Sequence, residues 1–126
     1  MRICLDLDGV LCALKKEGEN YADLLPLPGA VEKVTALKKS GHTIILHTAR
    51  HMKTCEGNSG KVIARLGRIT LEWLDRHGIP YDELHFGKPW ADIYVDDNAW
   101  RFESWESIEA DGSNLPCSSE QKARQV

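Results

Sequence analysis

The chain alternates short apolar runs with longer amphipathic stretches. Residues 3–7 and 43–47 are apolar runs with few polar interruptions, which is typical of strands buried in a parallel sheet. Between them, apolar residues recur near the helical spacing after Pro28-Gly29, and Ser40-Gly41 marks the end of that stretch. This pattern predicts a strand, a helix and a second strand, joined as a right-handed βαβ crossover.

The second half of the chain continues the alternation. Residues 61–77 carry apolar side chains at helical spacing, and a Gly-Ile-Pro sequence ends that helix. Residues 84–86 predict a short strand, and residues 93–95 predict a stronger strand that leads directly into two aspartates. A final short helix is predicted from three aromatic residues, Trp100, Phe102 and Trp105.

Strands that alternate with helices predict the α/β class. We expect a Rossmann-like three-layer sandwich around a mostly parallel sheet. A length of 126 residues fits one domain. We place that domain at residues 1–110 and expect the polar residues 111–126 to form a frayed tail.

Composition narrows the classes of protein. The 16 Lys and Arg residues face 19 Asp and Glu residues, and this formal net charge of −3 argues against a dedicated nucleic-acid binder. The four cysteines show no CxxC pair and no zinc-like spacing, so we expect unpaired thiols in a reducing cytoplasm. No apolar stretch approaches the roughly 20 residues that span a bilayer, so we expect no membrane partner.

Polar residues that could carry chemistry follow the predicted strands, where ligands bind in parallel sheets. The first strand leads into Asp6-Leu7-Asp8-Gly9-Val10, the second into His47-Thr48-Ala49-Arg50, and the last into Asp96-Asp97. Lys88 lies in the segment between the second of these strand ends and the last. Carboxylates gathered at one rim repel one another unless a cation lies between them. Hard oxygen ligands favour magnesium, which commonly accompanies a phosphate-bearing substrate.

These four motifs, in this order, resemble the signatures of the haloacid dehalogenase (HAD) superfamily of phosphohydrolases. They are the DxDGV sequence that begins at Asp6, then Thr48, Lys88 and the acid pair Asp96-Asp97. The resemblance implies a HAD-like fold and a magnesium-dependent phosphatase that hydrolyses a phosphate monoester through an aspartyl-phosphate. Because dehalogenases of the superfamily typically lack the second acid, Asp8 favours hydrolysis or transfer of phosphate esters.

The resemblance also implies catalytic roles. Asp6 would be the nucleophile that attacks phosphorus. Asp8 would protonate the leaving oxygen and later deprotonate the attacking water. Thr48 and Lys88 would bind the phosphoryl oxygens, with Lys88 stabilising the charge on the transferring group.

Metal and substrate contacts complete the predicted site. The predicted magnesium ligands and supporting acids are Asp6, Asp8, Asp96 and Asp97, of which Asp97 would orient a bound water or the lysine. The predicted substrate contacts are Gly9, Thr48, Ala49, Arg50 and Lys88. Arg50, His51 and Lys53 are placed to meet the leaving group, or else they form a solvated polar loop.

Neither connection that could carry a cap is long. The segment of residues 11–28 is short, and residues 48–88 contain only one loop and one helix. We therefore expect no large cap domain. Capless relatives often act on macromolecules or use a neighbouring subunit as a lid, so a homo-oligomer that covers the site is kept as an alternative.

Two substrate hypotheses remain. A small sugar phosphate or similar metabolite is suggested by resemblance to short capless phosphatases of surface-polysaccharide pathways, and the net charge of −3 favours it. A polynucleotide 3′-phosphate is the alternative. The Thr-Ala-Arg sequence, the basic helix after it and the acid pair also resemble the phosphatase half of polynucleotide kinase-phosphatases.

Two other classes of protein compete with the phosphatase. A receiver domain also gathers aspartates, a threonine and a lysine around magnesium, but its adjacent acid pair comes first, whereas here it comes last. A non-catalytic binding module could keep the fold, but the intact set of motif residues argues against it. The sequence around Gly60-Lys61 departs from the P-loop pattern at two positions, and the histidines lack zinc-ligand spacing.

Overall fold

The computed structural model describes residues 1–116. Three strands form one parallel sheet, in the order β1 (Arg2–Asp6), β2 (Thr43–Thr48) and β3 (Glu83–Phe86). Two α-helices, α1 (Ala30–Lys39) and α2 (Ser59–Arg76), connect them, and short 3-10 helices lie at Tyr21–Asp23 and Trp105–Ser107. This is the small Rossmann-like α/β domain that the sequence predicts.

The register of the sheet brings the carboxyl ends of the strands together. Asp6, the last residue of β1, is paired with His47 in β2. His47 is paired in turn with His85 in β3, and Thr48 with Phe86. Residues that directly follow these strands therefore meet at one edge of the sheet, as the sequence predicts.

The main apolar core covers one face of the sheet. Leu5, Ile44 and Leu46 point to that face, because alternate residues of a strand share a face. Both helices and the second 3-10 helix contribute to the same cluster, with buried side chains at Val34, Leu37, Trp73, Leu74 and Trp105. On the other face Cys4 and His85 are exposed, and the rings of His47 and His85 meet edge to face at 6.2 Å.

The helices begin and end where local chemistry favours it. The side chain of Asn58 caps α2 by accepting a hydrogen bond from the Lys61 N–H at 3.0 Å. Ser40 ends α1, and Gly41 follows with a φ of 94°. The predicted bounds of both helices are confirmed to within two residues.

The strand predicted at residues 93–95 is wrong. These residues lie in an irregular segment, and Val95 is 95% exposed. Local contacts hold the segment in this form: the Tyr94 hydroxyl donates to the Pro89 carbonyl, and the Tyr94 ring lies under the Lys88 ammonium. The predicted final helix is present as a short 3-10 turn in which Trp105 is buried, whereas Trp100 is exposed.

The segment after residue 110 is held against the domain. The His42 Nε2–H donates to the Asp111 carbonyl at 2.7 Å, and the Asn114 amide donates to the Ser107 carbonyl at 2.8 Å. Gly112 has a φ of 72°, and a Cβ there would lie 2.8 Å from the His42 ring. Residues 111–115 therefore contact the domain, and the fraying of the tail stays a prediction. Residues 117–126 of the predicted tail lie outside the described residues.

Neither helix within residues 1–116 combines the length and apolar character that crossing a membrane requires.

Two leucines of α2 test the packing. Leu74 is fully buried in the core, whereas Leu71, one turn earlier, is 47% exposed. We expect Leu74→Ala to lower the free energy of unfolding by about 2–5 kcal/mol, because it removes buried methyl groups and leaves a cavity. Leu71→Ala is the matched control and should cost less than about 1 kcal/mol. Urea denaturation measures both, and equal losses would contradict this packing.

Candidate functional site

Asp6 and Lys88 form an ion pair at the carboxyl edge of the sheet. The Lys88 Nζ lies 3.0 Å from the Asp6 Oδ2, although 82 residues separate them in sequence. Both side chains are only partly buried, so solvent and a small ligand can reach the pair. The Lys88 N–H also donates to the Thr48 carbonyl at 3.1 Å, which fixes the segment after β3 against β2.

Asp8 is held by Arg50. The Arg50 Nε and Nη2 atoms donate to the two carboxylate oxygens of Asp8 at 2.9 and 3.0 Å, a bidentate pair that fixes the plane of the carboxylate. The Cys12 thiol lies 3.5 Å from the Asp8 Oδ1. Asp8 is therefore oriented by groups from the loop after β2 and from its own turn.

The Arg50 guanidinium is buried by its surroundings. The residue is 3% exposed, its Nη1 lies 3.4 Å from the Thr70 hydroxyl in α2, and its Cζ lies 4.2 Å from the centre of the Tyr21 ring. Burial alone would lower the pKa of Arg50. The hydrogen bonds and charge of Asp8 outweigh burial, so the pKa of Arg50 is raised and the guanidinium stays charged.

A tight turn follows β1 and sets the position of Asp8. Gly9 has a φ of 88°, a conformation that L residues rarely adopt, and its N–H donates to the Cys12 carbonyl at 2.7 Å. The Leu7 carbonyl accepts hydrogen bonds from the backbone of residues 10–12. The conformation of the turn therefore explains why position 9 is a glycine. The predicted contact of Gly9 with substrate stays a prediction.

The side chains of Thr48 and Arg50, which the sequence predicts to contact substrate, are turned into the protein. Thr48 is fully buried, and its Oγ1 accepts a hydrogen bond from the Arg50 N–H at 3.1 Å. Arg50 is turned inward onto Asp8 and away from the loop surface. Ala49 packs under the loop with Met52, Cys55 and other apolar residues. These residues support the site from beneath.

The predicted magnesium site is not formed by the described residues. Residues 91–100 are exposed outside any strand, and the Asp96 Oδ1 accepts a hydrogen bond from the Asn98 N–H at 3.1 Å. Within residues 1–116, no three His, Cys, Asp or Glu side chains are grouped so that they could hold a metal ion. Asp6 and Asp8 are instead neutralised by Lys88 and Arg50. The strand expected to bring Asp96 to this rim is absent, and magnesium binding stays a prediction.

Several residues that the sequence analysis did not assign to the site contact it. Tyr21 stacks on Arg50, Tyr94 lies under Lys88 at 4.2 Å, and Cys12 touches Asp8. Burial and then the negative charge of Asp8 raise the pKa of the Cys12 thiol to about 12. Burial, followed by the positive charges of Lys88 and His85, lowers the pKa of His47 beside Asp6. No local sequence pattern identifies these contacts, because each depends on the tertiary fold.

The chain is similar to a protein of known structure. No family model matches it, and no curated protein matches it. Among solved structures, the chain is similar to the crystal structure of an MCSG target protein from Vibrio cholerae, with 33% sequence identity and a TM-score of 0.73. That similarity covers 98% of this chain and 95% of the other. The chain therefore belongs to the same family as the Vibrio cholerae protein.

Proposed function

We propose that the chain is a HAD-type phosphatase that hydrolyses a phosphate monoester through an aspartyl-phosphate on Asp6. The carrying observation is the Asp6–Lys88 pair at 3.0 Å, at the open carboxyl edge of the sheet. A carboxylate nucleophile needs a cation beside it to receive a phosphate dianion, and Lys88 is that cation. Asp8, two residues further along, supplies a second carboxylate for proton transfer.

The first step transfers the phosphoryl group to the protein. An Asp6 oxygen attacks phosphorus, the bond from phosphorus to the ester oxygen breaks, and a protonated Asp8 gives its proton to that oxygen. The Lys88 ammonium, which is paired with Asp6 at the start, then also contacts the phosphoryl oxygens. The Asp8 oxygen that carries the proton has to release its hydrogen bond from Arg50.

The second step returns the protein to its starting state. A water molecule attacks the phosphorus of the aspartyl-phosphate, and Asp8 accepts the proton of that water. The bond between Asp6 and phosphorus breaks, and inorganic phosphate leaves. The bidentate pair with Arg50 then holds the Asp8 carboxylate in the orientation from which it accepts the proton.

Magnesium dependence follows from the resemblance and stays a prediction. Both chemical steps use side chains alone, because no three His, Cys, Asp or Glu side chains within residues 1–116 are grouped so that they could hold a metal ion. A sugar phosphate or a similar metabolite is the proposed substrate class, in keeping with the net charge of −3.

Repeated release of phosphate is the direct test. We expect purified protein with magnesium to release inorganic phosphate over many turnovers from at least one ester in a panel of sugar phosphates, glycerol 3-phosphate and a 3′-phosphorylated oligonucleotide. The same assay with a chelator in place of magnesium tests the metal requirement separately. A single phosphoryl group retained per chain would indicate a receiver-type acceptor, and no release from any ester would refute the phosphatase.

Asp6→Asn removes the proposed nucleophile. We expect turnover to fall by at least about a thousandfold, because an amide cannot form the acyl-phosphate. Phosphorylated protein should also be absent when the reaction is quenched in acid and analysed by mass spectrometry. Asp75→Asn, an exposed acid on α2, is the matched control and should leave turnover unchanged. Full activity in Asp6→Asn would exclude this mechanism.

Lys88→Met removes the cation and keeps much of the side-chain length. We expect kcat to fall by about a hundredfold or more, since the charge on the transferring group loses its stabilising partner. Lys88→Arg should retain more activity than Lys88→Met because it keeps the charge. Lys39→Met, at the exposed end of α1, controls for loss of a surface lysine. If Lys88→Met matches that control in a phosphate-release assay, Lys88 has no catalytic role.

A further inference from the structure

An open surface depression of about 530 Å³ lies beside the segment that carries Lys88. It is called the cavity below. Its walls come from the loop after β2 and from the segment after β3, with lining residues Met52, Lys53, Glu56, Gly57, Gly87, Pro89 and Trp90. Gly87 and Pro89 are the chain neighbours of Lys88, so one wall of the cavity flanks the proposed phosphate-binding lysine in the chain.

The cavity presents an aromatic surface with charged groups beside it. Trp90 is 54% exposed. The Lys53 Nζ lies 4.6 Å from the centre of its ring. Glu56 adds a carboxylate to the same wall. Such a wall offers a flat apolar surface, a hydrogen-bond donor and a hydrogen-bond acceptor within one small cavity.

Apolar contacts and a backbone hydrogen bond hold the loop wall in place. Met52 and Cys55 are buried in a small second core with Val62, so the loop is anchored from beneath. The Met52 carbonyl accepts a hydrogen bond from the Gly57 N–H at 2.8 Å, which closes the loop. Glu56 in the same loop has a φ of 52°, in the left-handed region. A preformed wall reduces the entropy that binding costs.

We infer that this cavity binds the sugar ring of an aldose phosphate whose phosphate lies at Asp6 and Lys88. Trp90 packs against the apolar C–H face of the ring, and Lys53 and Glu56 hydrogen-bond its hydroxyl groups. The Glu56 carboxylate disfavours a polynucleotide, because it repels a chain of phosphates. This inference rests on the proposed phosphatase function and names its substrate class.

Binding is tested separately from turnover. The ¹⁵N-labelled Asp6→Asn variant is titrated with glucose 1-phosphate, glucose 6-phosphate, ribose 5-phosphate and inorganic phosphate, and the indole N–H signals are followed by NMR. Trp90→Phe assigns the Trp90 signal. We expect sugar phosphates to shift this signal, inorganic phosphate to leave it in place, and the signal of the exposed Trp100 to stay unchanged with every ligand.

Kinetics with a matched control tests the same contact. We expect Trp90→Ala to raise KM for the best sugar phosphate by about tenfold, since it removes one aromatic contact. KM for glycerol 3-phosphate, which has no ring, should change less than twofold. Trp100→Ala controls for loss of an exposed tryptophan and should change neither value.

Each result decides the inference. A Trp90 signal that no sugar phosphate shifts, or equal KM values for Trp90→Ala and Trp100→Ala, would overturn it. Tighter binding of a 3′-phosphorylated oligonucleotide than of every sugar phosphate would overturn it in favour of a polynucleotide substrate. If sugar phosphates shift the Trp90 signal but no ester is hydrolysed by the wild-type chain, the cavity is supported and the phosphatase function fails.

Discussion

The ion pair between the buried Arg50 and the partly buried Asp8 connects several elements of this molecule. It joins the turn after β1 to the loop after β2, and Arg50 reaches further to Tyr21 and to Thr70 in α2. Removing one partner of such a pair leaves a charge in a poorly solvated place, which typically costs about 3–5 kcal/mol. The geometry of the proposed site therefore depends on a contact that substrate does not make.

This constraint explains how two acids two residues apart differ in their surroundings. Asp8 is clamped by a guanidinium that is almost fully buried, whereas Asp6 meets the more exposed ammonium of Lys88. A lysine on a flexible stem can share its charge with an incoming phosphate, and a bidentate arginine keeps its partner in one orientation. The cation beside each acid thus matches the role proposed for it: attack by Asp6 and proton transfer by Asp8.

Periodicity predicts the sheet, both helices and the positions of Asp6, Thr48 and Lys88, because strand ends and helix caps are local features of sequence. Residues 93–95 show the limit of that approach. Their apolar pattern suits a strand, yet the pattern does not say whether a neighbouring strand will pair with it, and here Tyr94 makes local contacts instead. The inward turn of Arg50 is equally invisible, since its partner lies 42 residues earlier in the chain.

The order of the sheet has a consequence for how this protein behaves at high concentration. β1 is an outer strand within residues 1–116, so one row of its backbone groups faces away from β2. Outer strands can pair with a strand from another molecule and so begin aggregation. β1 has only five residues and carries charges at both ends, Arg2 and Asp6, which are features that limit such pairing. The Asp6 carboxylate therefore also disfavours pairing of this outer strand with another molecule.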